Sequence, residues 1–328
     1  MKVSFFQRKP FQDFVSIEHI YDMVRANLPD GVEVETYISK YHSKGVVRRV
    51  YSIFEAALRQ GEVNHVTGDV NFLVFLLNRK NTILSVHGTF NPNPSKIVQR
   101  LLELFWWRLP LKKVKYVTVV SNTLKKELIN RFNCDKNKIK VIYNPLNPVF
   151  QPLEKPFSAK PIILQVGTKV VKNLERLITA LEGINCHLHI IGMLSDGQKK
   201  RLERYQIEFT NEVSLSTFEM KRAYENCDIV SFVSLYEGFG MPIMEANAIG
   251  RVVITGNRTS IPEVAKNAAL LINPLNMEAI RNGILKLIND DNYRNQLIQN
   301  GFENVKRFDV KMITKQYLEL YEEVYENR

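Results

Sequence analysis

Residues 233–250 read VSLYEGFGMPIMEANAIG, a stretch with two glycines and a proline between two glutamates, Glu237 and Glu245. The overlapping run DIVSFVS is typical of a buried strand, and LYEGFG supplies a turn after it. Pro242 fits the first position of a helix, where its missing N–H is not needed. The stretch therefore predicts a strand, a glycine turn and a helix, which is the repeating unit of parallel α/β sheets.

The glycine turn of this unit has the features of an anion site. Gly238 and Gly240 allow a sharp bend and a close approach of the backbone to a ligand. The N–H groups of residues 238–241 and the positive end of the helix dipole can then face a diphosphate. Glu237 and Glu245 can accept hydrogen bonds from a sugar on one side and a ribose on the other. The alternative is a purely structural turn, with Glu237 in solvent and Glu245 stabilising the first turn of the helix.

Two further strand-to-helix turns lie in the same half of the chain. In QVGTKVVKNLERLITAL, residues 165–181, Lys169 and Lys172 lie near the turn and can neutralise a diphosphate. In GNRTSIPEVAKNAALLINP, residues 256–274, Ser260 precedes a helix start. Ligands of open parallel sheets bind beyond the carboxyl ends of the strands. Three such loops together favour a ligand site over three unrelated turns.

The whole chain alternates short apolar runs with amphipathic segments, which is the pattern of βα units in two doubly wound parallel sheets. Five of the thirteen prolines fall within residues 145–161. They predict an interdomain linker, because proline neither continues a helix nor donates to a ladder. We expect a first domain over residues 1–157, a second over 158–307, and an amphipathic helix over 308–328 that docks back on the first.

The net charge of +11 is confined to the first half of the 328-residue chain. Residues 1–150 hold 23 Lys and Arg against 12 Asp and Glu, whereas residues 151–328 hold 22 of each kind. A basic half indicates an anionic partner, such as a membrane surface, a phosphorylated lipid or a nucleic acid. No RNA- or DNA-binding signature accompanies the charge, so we expect no nucleic-acid partner.

Several classes of protein are disfavoured by simple features of the sequence. The N-terminus carries charges inside any apolar core that a signal peptide would need. The longest apolar run, FLVFLL at residues 72–77, is far shorter than the ~20 residues of a membrane-spanning helix. The three cysteines are scattered, and no metal-ligand spacing is present. We expect a cytoplasmic protein that needs no metal and no cofactor.

An aromatic and basic segment, SKIVQRLLELFWWRLPLKKVKY at residues 95–116, contains Trp106 and Trp107. A helix of this composition can lie on an anionic bilayer. It can equally be an ordinary helix that packs on the sheet with its charges in water. The charge of this half favours peripheral contact at the inner face of a membrane, and a lipid-linked or anionic glycan acceptor.

The second half of the chain resembles the nucleotide-sugar domain of retaining glycosyltransferases of family four, which have the GT-B fold. The spacing of Glu237 and Glu245 around GFGMP matches the family signature, and SIPEVAKNAALLINP at residues 260–274 also follows the family. With VTVVSNTLKKELINRFNCDKNKIKVIYNP at residues 117–145, the resemblance covers most of residues 60–328. It implies two Rossmann-like domains that face a cleft, and metal-independent transfer of a hexosyl group with retention of configuration.

The resemblance also implies roles for individual residues. Glu237 would bind the hydroxyls of the donor sugar, Glu245 would bind the ribose, and Lys172 would neutralise the leaving diphosphate. His87, which ends the strand TILSVH, would face the reacting sugar from the first domain; a capping or core histidine is the other interpretation. The further donor-side candidates are Gly167, Thr168, Lys169, Val213, Gly238, Phe239, Gly240, Met241, Pro242 and Arg258.

On the donor side the chain departs from the family pattern at two positions. Thr168 stands where many relatives have an arginine, so Lys169 or Arg258 would supply the second cation. His87 is followed by Gly88, where the family shows an aspartate.

On the acceptor side, Arg8 and Lys9 stand where relatives tend to have a glycine pair. Two cations at this place suit an anionic acceptor. His65, at the end of the neighbouring strand, and Asn91, in the polar loop GTFNPNPS, are further acceptor-side candidates.

Together these features predict a glycosyltransferase. It would move a sugar from a UDP- or GDP-linked donor, which is a substrate rather than a cofactor, to a glycan or lipid-linked acceptor in surface polysaccharide or glycoconjugate synthesis. The alternative is a nucleotide-sugar epimerase or hydrolase of the same fold, which would need an additional catalytic carboxylate. A glycosidase is disfavoured because its acid and nucleophile must flank the scissile bond, whereas Glu237 and Glu245 would lie on donor hydroxyls.

Overall fold

The computed structural model describes residues 1–10, 16–43, 45–88, 100–101 and 103–328. These residues form two compact units. Unit 1 combines Met1–Pro145 with Val310–Arg328, and unit 2 is Leu146–Asp309.

Unit 1 is built around a parallel sheet. Its described strands are β1 (Lys2–Gln7), β2 (Glu33–Ile38), β3 (Val63–Val66), β4 (Thr82–Val86), β5 (Tyr116–Val119) and β6 (Ile139–Val141), in the sheet order β2-β1-β3-β4-β5-β6. Its described helices are α1 (Ser16–Ala26), α2 (Val46–Ala57), α3 (Leu109–Lys113), which continues a π-helix over Leu104–Arg108, and α4 (Asn122–Phe132).

Unit 2 contains a second parallel sheet. Its strands are β7 (Ile162–Val166), β8 (His187–Ile191), β9 (Phe209–Glu212), β10 (Ile229–Phe232), β11 (Val252–Gly256) and β12 (Leu270–Ile272), in the order β12-β11-β10-β7-β8-β9. Its helices are α5 (Leu174–Ala180), α6 (Asp196–Arg204), α7 (Thr217–Asn226), α8 (Met241–Ile249), α9 (Ile261–Ala265), α10 (Met277–Asn289) and α11 (Asp291–Val305).

The two sheets confirm the predicted doubly wound α/β architecture. Strands β4 and β10 are buried along their whole length, which explains why they read as nearly continuous apolar runs rather than alternating ones. In unit 1 the strand order reverses between β1 and β3, and in unit 2 between β7 and β10. Folds of this kind bind ligands beyond the carboxyl ends of the strands at such a reversal.

The proline-rich segment belongs to unit 2 except for its first residue, Pro145, and the boundary between the units lies after Pro145 rather than at residue 157. The N–H of Leu153 donates to the carbonyl of Ile249 at 3.2 Å, and Arg251 Nη1 donates to the carbonyl of Leu153 at 2.9 Å. Further along, Lys155 forms an ion pair with the buried Asp228. The proline-containing segment is therefore held by hydrogen bonds and an ion pair with the rest of unit 2, and it is not a free linker.

The last helix, α12 (Val310–Glu326), belongs to unit 1, in agreement with the predicted return of the C-terminal helix. Its Tyr321 hydroxyl lies 2.7 Å from His65 Nδ1, and its Tyr317 hydroxyl lies 3.4 Å from that of Tyr21 on α1. At its C-terminal end Glu323 accepts a hydrogen bond from the hydroxyl of Tyr116. Polar contacts, two of them buried, thus fix the position of α12 on the sheet.

The aromatic segment around residue 106 packs into unit 1. Trp107 is buried and stacks on Phe132, with ring centroids 5.2 Å apart. Asn71 Nδ2 donates to the Trp106 carbonyl at 2.9 Å, and Pro110, four residues further on, has no N–H with which to reach that carbonyl. The described part of this segment therefore agrees with the ordinary packed helix rather than with a membrane-facing Trp107; residues 95–99 and 102 lie outside the described ranges.

We expect Tyr321→Phe to lower the free energy of unfolding by about 1–3 kcal/mol, because it leaves a ring nitrogen of the fully buried His65 without its partner. Urea unfolding followed by circular dichroism measures the change. Tyr325→Phe removes the same atom from a less buried position of the same helix, and it should cost less than about 0.5 kcal/mol. Equal losses in the two variants would contradict a structural role for the Tyr321–His65 contact.

Candidate functional site

The donor-side residues of unit 2 lie at the reversal point of its sheet. Strands β7 and β10 are parallel neighbours with Ile163 opposite Ile229. The loop after β7 carries Lys172, and the loop after β10 carries Glu237. Because parallel neighbours end at the same edge, the fold brings together two loops that are 65 residues apart in sequence.

The loop after β7 is shaped by Gly167. This residue has φ +91°, and its N–H donates to the carbonyl of Ile191 at 2.7 Å. A Cβ built on Gly167 would lie 3.0 Å from Cγ of Lys172. The absence of a side chain therefore lets the aliphatic part of Lys172 cross the turn.

Asn173 fixes the end of the same loop. It adopts a left-handed conformation with φ 61°, which asparagine tolerates better than most residues. Its Nδ2 donates to the carbonyl of Val233 at 3.0 Å and to that of Pro274 at 2.8 Å. The loop after β7 is thereby joined to the chain that follows β10 and β12.

Lys172 and Glu237 form an ion pair. Lys172 Nζ donates to Glu237 Oε1 at 2.6 Å, and the two side chains are 24% and 15% exposed. The ammonium group also lies 4.9 Å from the ring centroid of Phe232, on a face that attracts cations. A pair this enclosed interacts more strongly than one in open water, and each partner would be costly to leave alone.

The glycine turn leads directly into α8. Gly240 has φ +122°, which a residue with a side chain rarely adopts, and a Cβ there would also lie 3.2 Å from Cδ1 of Ile243. The helix begins at Met241, so Pro242 is its second residue. The sequence predicted that Pro242 would be the first. The proline is tolerated because the first N–H groups of a helix have no acceptor within it.

The loop after β11 braces the glycine turn. Ser260 Oγ donates towards the carbonyls of Glu237 and Phe239, each at 2.9 Å. The N–H of Glu237 donates to Thr259 Oγ1 at 3.2 Å. The predicted third loop therefore meets the first one, and the exposed Arg258 precedes the two bracing residues.

Glu245 lies in the second turn of α8 and is bound by Tyr224 of α7. The Tyr224 hydroxyl donates to Glu245 Oε2 at 2.6 Å. Burial raises the pKa of Glu245 to about 7, against the opposing effects of this hydrogen bond and of the Lys172 charge. Sequence reasoning did not identify Tyr224, since nothing near it in the chain marks a residue that contacts Glu245.

The other donor-side candidates lie at the same edge of the sheet but at different distances from the ion pair. Thr168 Oγ1 donates to the Met193 carbonyl at 2.6 Å, and its methyl group packs against Gly192, which has φ +130°. Lys169 is exposed beside the loop. Val213 follows the edge strand β9, which β7 and β8 separate from β10. The sequence prediction missed Gly192, although a glycine directly after a strand was a usable signal.

In unit 1, His87 lies at the end of β4 and is partly exposed. Its Nε2 lies 2.9 Å from the Tyr21 hydroxyl. Burial and, to a smaller extent, the charge of Arg8 lower the pKa of His87 to about 4. The imidazole is therefore neutral at pH 7, and Tyr21 holds its orientation.

His65 was predicted on the acceptor side, but the structure places it in the core of unit 1. It has no exposed surface, and its Nε2 lies 2.7 Å from Ser85 Oγ while its Nδ1 faces Tyr321. Burial is the main cause that lowers the pKa of His65, to about 3. Both nitrogens are engaged inside the unit, so His65 supports α12 and exposes no atom to an acceptor.

The predicted acceptor-side cations differ from each other in the structure. Arg8 Nε donates to Glu18 at 2.7 Å, and its Nη1 lies 3.5 Å from Asp69. Two carboxylates thus offset the charge of Arg8, so it is less suited to bind an anion. Lys9 is exposed, and Asn91 lies outside the described residues.

In the part of the chain that the structure describes, no group of three or more His, Cys, Asp or Glu is placed to hold a metal ion. No helix in the same ranges is long and apolar enough to cross a membrane.

Two doubly wound sheets, with a lysine, two glutamates and a glycine turn at one reversal point, define a two-domain α/β protein of the GT-B type. Residues 151–304 match the family model of the glycosyl transferases group 1, and residues 37–150 match that of Glycosyltransferase Family 4. The chain belongs to this family of glycosyltransferases.

Named relatives agree with the family. Over 250 residues the chain is 27% identical to the O-antigen chain mannosyltransferase RfbU of Salmonella typhimurium, covering 70% of this chain and 68% of that protein. Over 178 residues it is 25% identical to the N,N'-diacetylbacillosaminyl-diphospho-undecaprenol alpha-1,3-N-acetylgalactosaminyltransferase of Campylobacter jejuni, covering 51% of this chain and 46% of that protein. The chain spans about half to two thirds of the length of the curated relatives that it matches over more than half of its own residues.

A solved structure shows the same fold. Anabaena Alr3699/HepE in complex with UDP and glucose matches with a TM-score of 0.80 at 16% identity, covering 98% of this chain and 100% of that one.

We expect Glu245→Gln to change the pH dependence of stability. With a folded-state pKa of about 7 against an ordinary value of 4.5, the wild-type carboxyl contributes stability that is present below pH 4.5 and lost as the pH rises to about 7. The amide does not titrate, and its oxygen can still accept from Tyr224. The unfolding free energy of wild type minus that of Glu245→Gln should therefore fall between pH 4.5 and about pH 7, and stay constant above that.

Urea unfolding of both proteins across this pH range measures the difference. The same substitution at the exposed Glu278, also in unit 2, is the control. A difference that stays constant for Glu245→Gln would contradict the raised pKa.

Proposed function

We propose that the protein is a retaining glycosyltransferase that moves a sugar from a UDP- or GDP-linked donor to a glycan or lipid-linked acceptor. The observation that carries this proposal is the Lys172–Glu237 ion pair, which lies beside the glycine turn before α8, with Glu245 further along that helix. We further propose a role in surface polysaccharide or glycoconjugate synthesis. This part is supported by the relatives named for O-antigen and for an undecaprenol-diphosphate-linked substrate.

The charges around the ion pair support binding of a nucleoside diphosphate. The Lys172 ammonium and the positive end of α8 both favour an anion at this edge of the sheet. Glu245 Oε2 accepts from Tyr224, and we propose that Oε1 accepts from a ribose hydroxyl. Glu237 would exchange part of its contact with Lys172 for hydroxyls of the donor sugar.

The proposed reaction follows from these positions. The bond between the anomeric carbon and the diphosphate oxygen breaks, and the acceptor oxygen forms its bond to that carbon on the same face. The acceptor proton passes to the leaving phosphate. Lys172 and the start of α8 stabilise the charge that develops on the diphosphate, which is the task a metal ion performs in other transferases. We propose that the reaction needs no metal.

The two glutamates have separate partners, Lys172 for Glu237 and Tyr224 for Glu245. A hydrolytic site with an acid and a nucleophile would instead place two carboxyl groups on either side of one bond. This arrangement favours the transferase over the hydrolase.

We also propose that unit 1 contacts an anionic membrane surface, as the charge of residues 1–150 suggests. A membrane-embedded acceptor would then lie close to the protein that glycosylates it. The Campylobacter relative is named for a substrate on a polyprenol carrier, which supports a lipid-linked acceptor.

Lys172→Ala should weaken binding of a nucleoside diphosphate by at least about tenfold, because a charge-assisted hydrogen bond is worth about 1.5–3 kcal/mol. Calorimetric titration with UDP and with GDP measures this. Glu237→Ala should keep or improve that binding, since it frees the Lys172 ammonium, while sugar transfer is lost.

The double variant Lys172→Ala/Glu237→Ala controls for misfolding, because it leaves no unpaired half-buried carboxylate behind. It should unfold like the wild type and still bind the diphosphate weakly. If the wild type binds neither nucleotide, or if the double variant binds as tightly as the wild type, the donor site is wrong.

His87→Ala should lower turnover by about 100-fold with little change in the KM for the donor, if this residue acts on the reacting sugar as the family resemblance implies. Tyr21→Phe should give a smaller loss of turnover, because it removes the partner that orients His87 Nε2. Initial rates with radiolabelled donor measure both. Unchanged turnover in His87→Ala would leave the histidine as a structural residue.

A further inference from the structure

Helix α2 of unit 1 turns large apolar side chains towards solvent. Val47 is 82% exposed, Phe54 60% and Leu58, at its C-terminal cap, 88%. The exposed set on this helix is Val46, Val47, Val50, Tyr51, Phe54 and Leu58. With Ile38 and Tyr41, which are also exposed, we call this set the α2 surface.

The exposed residues share one side of the helix. At 100° per residue, positions 46, 47, 50, 51, 54 and 58 fall within an arc of about 140°. The buried residues Ser52 and Ala56 lie on the opposite side. A surface helix normally buries its large apolar residues and exposes small or polar ones, so α2 is reversed. A contiguous apolar patch of this kind marks an interaction surface.

Cations border the α2 surface. Lys40 Nζ lies 5.7 Å from the ring centroid of Tyr41 and 5.9 Å from that of Tyr51. The guanidinium of Arg48 lies 5.8 Å from the Tyr41 ring. Arg59, one residue past Leu58, lies over the Tyr37 ring at 5.1 Å, but its charge is offset by Glu55, whose Oε1 lies 3.4 Å from Arg59 Nη2. Apolar residues with basic residues at their border are the composition of a helix that lies in the interface of a bilayer.

We propose that the α2 surface docks unit 1 on an anionic lipid bilayer, with α2 in the plane of the interface. The apolar side chains enter the boundary between headgroups and acyl chains, and Lys40 and Arg48 contact anionic headgroups. A second copy of the chain fits this surface poorly, because a twofold contact would place the same cations against each other. The inference rests on the proposed membrane contact of unit 1 and assigns it to α2 instead of the tryptophan segment.

The test is co-sedimentation of the full chain with vesicles of phosphatidylcholine alone or mixed with phosphatidylglycerol. The wild type should bind the anionic vesicles, bind the neutral ones weakly, and be released by salt. Val47→Glu/Phe54→Glu/Leu58→Glu should bind the anionic vesicles at least about tenfold more weakly. Each carboxylate must lose its water on insertion, and the anionic headgroups repel it. All three positions are exposed, so the variant should unfold like the wild type.

The matched control is Phe218→Glu/Leu275→Glu, which places carboxylates at exposed apolar positions of unit 2 and should bind like the wild type. Equal binding by the triple variant and the wild type would overturn the proposal, as would equal binding of the wild type to neutral vesicles. If the wild type is a dimer and the triple variant is a monomer, the proposal is overturned, and the α2 surface binds a second copy of the chain instead.

Titration with UDP and GDP distinguishes the two proposals. The triple variant should bind the same nucleotide as the wild type, because unit 2 is unchanged. If the wild type binds a nucleotide but does not bind the vesicles, docking is refuted and the donor site stands. Vesicle binding without nucleotide binding would refute the donor site alone.

Discussion

The contact between Lys172 and Glu237 is the constraint around which unit 2 is organised at the carboxyl edge of its sheet. A half-buried ammonium and a half-buried carboxylate are each costly without the other, so the loops that carry them must be placed accurately. Gly167 gives the lysine stem its path, Asn173 ties that loop to the chain after β10, and Ser260 fixes the carbonyl of Glu237. The result is a preformed charge arrangement, and this is the condition under which fixed charges act most strongly on a ligand.

Local sequence was sufficient for features whose causes are local. Strand, turn and helix around residue 237 follow from burial, glycine and proline, and the doubly wound sheets follow from the repetition of that unit. The site was predictable to the level of its loops, because parallel strands end at one edge. Features that depend on distant partners were not predictable. His65 looked like a strand-end ligand because its partner Tyr321 is 256 residues away. Residues 145–161 looked like a linker because the carbonyl of Ile249, which accepts from the N–H of Leu153, lies in a remote helix.

The α2 helix shows a different limit. Its apolar spacing predicts an amphipathic helix, yet spacing does not say which side faces the protein. The decision lies in size: Ser52 and Ala56 allow close approach to the short 3-10 helix Asn71–Phe75, whereas bulkier residues occupy the outer arc. Trp107, which the sequence suggested for membrane contact, is buried and stacks on Phe132 inside the unit, so it is a packing residue. Aromatic content alone was a weaker guide than the shape of the buried side.

Because α12 completes unit 1, that unit is discontinuous in the chain, with unit 2 inserted between Pro145 and Val310. During synthesis the six described strands of unit 1 emerge before the helix that covers Tyr21 and His65, while unit 2 has its whole sequence available earlier. Domains fold as units once their residues are present. Unit 2 can therefore complete its fold before unit 1, although the strands of unit 1 are synthesised first. A chain that stops before residue 310 leaves unit 1 with an uncovered aromatic face, and aggregation is the expected fate of that product.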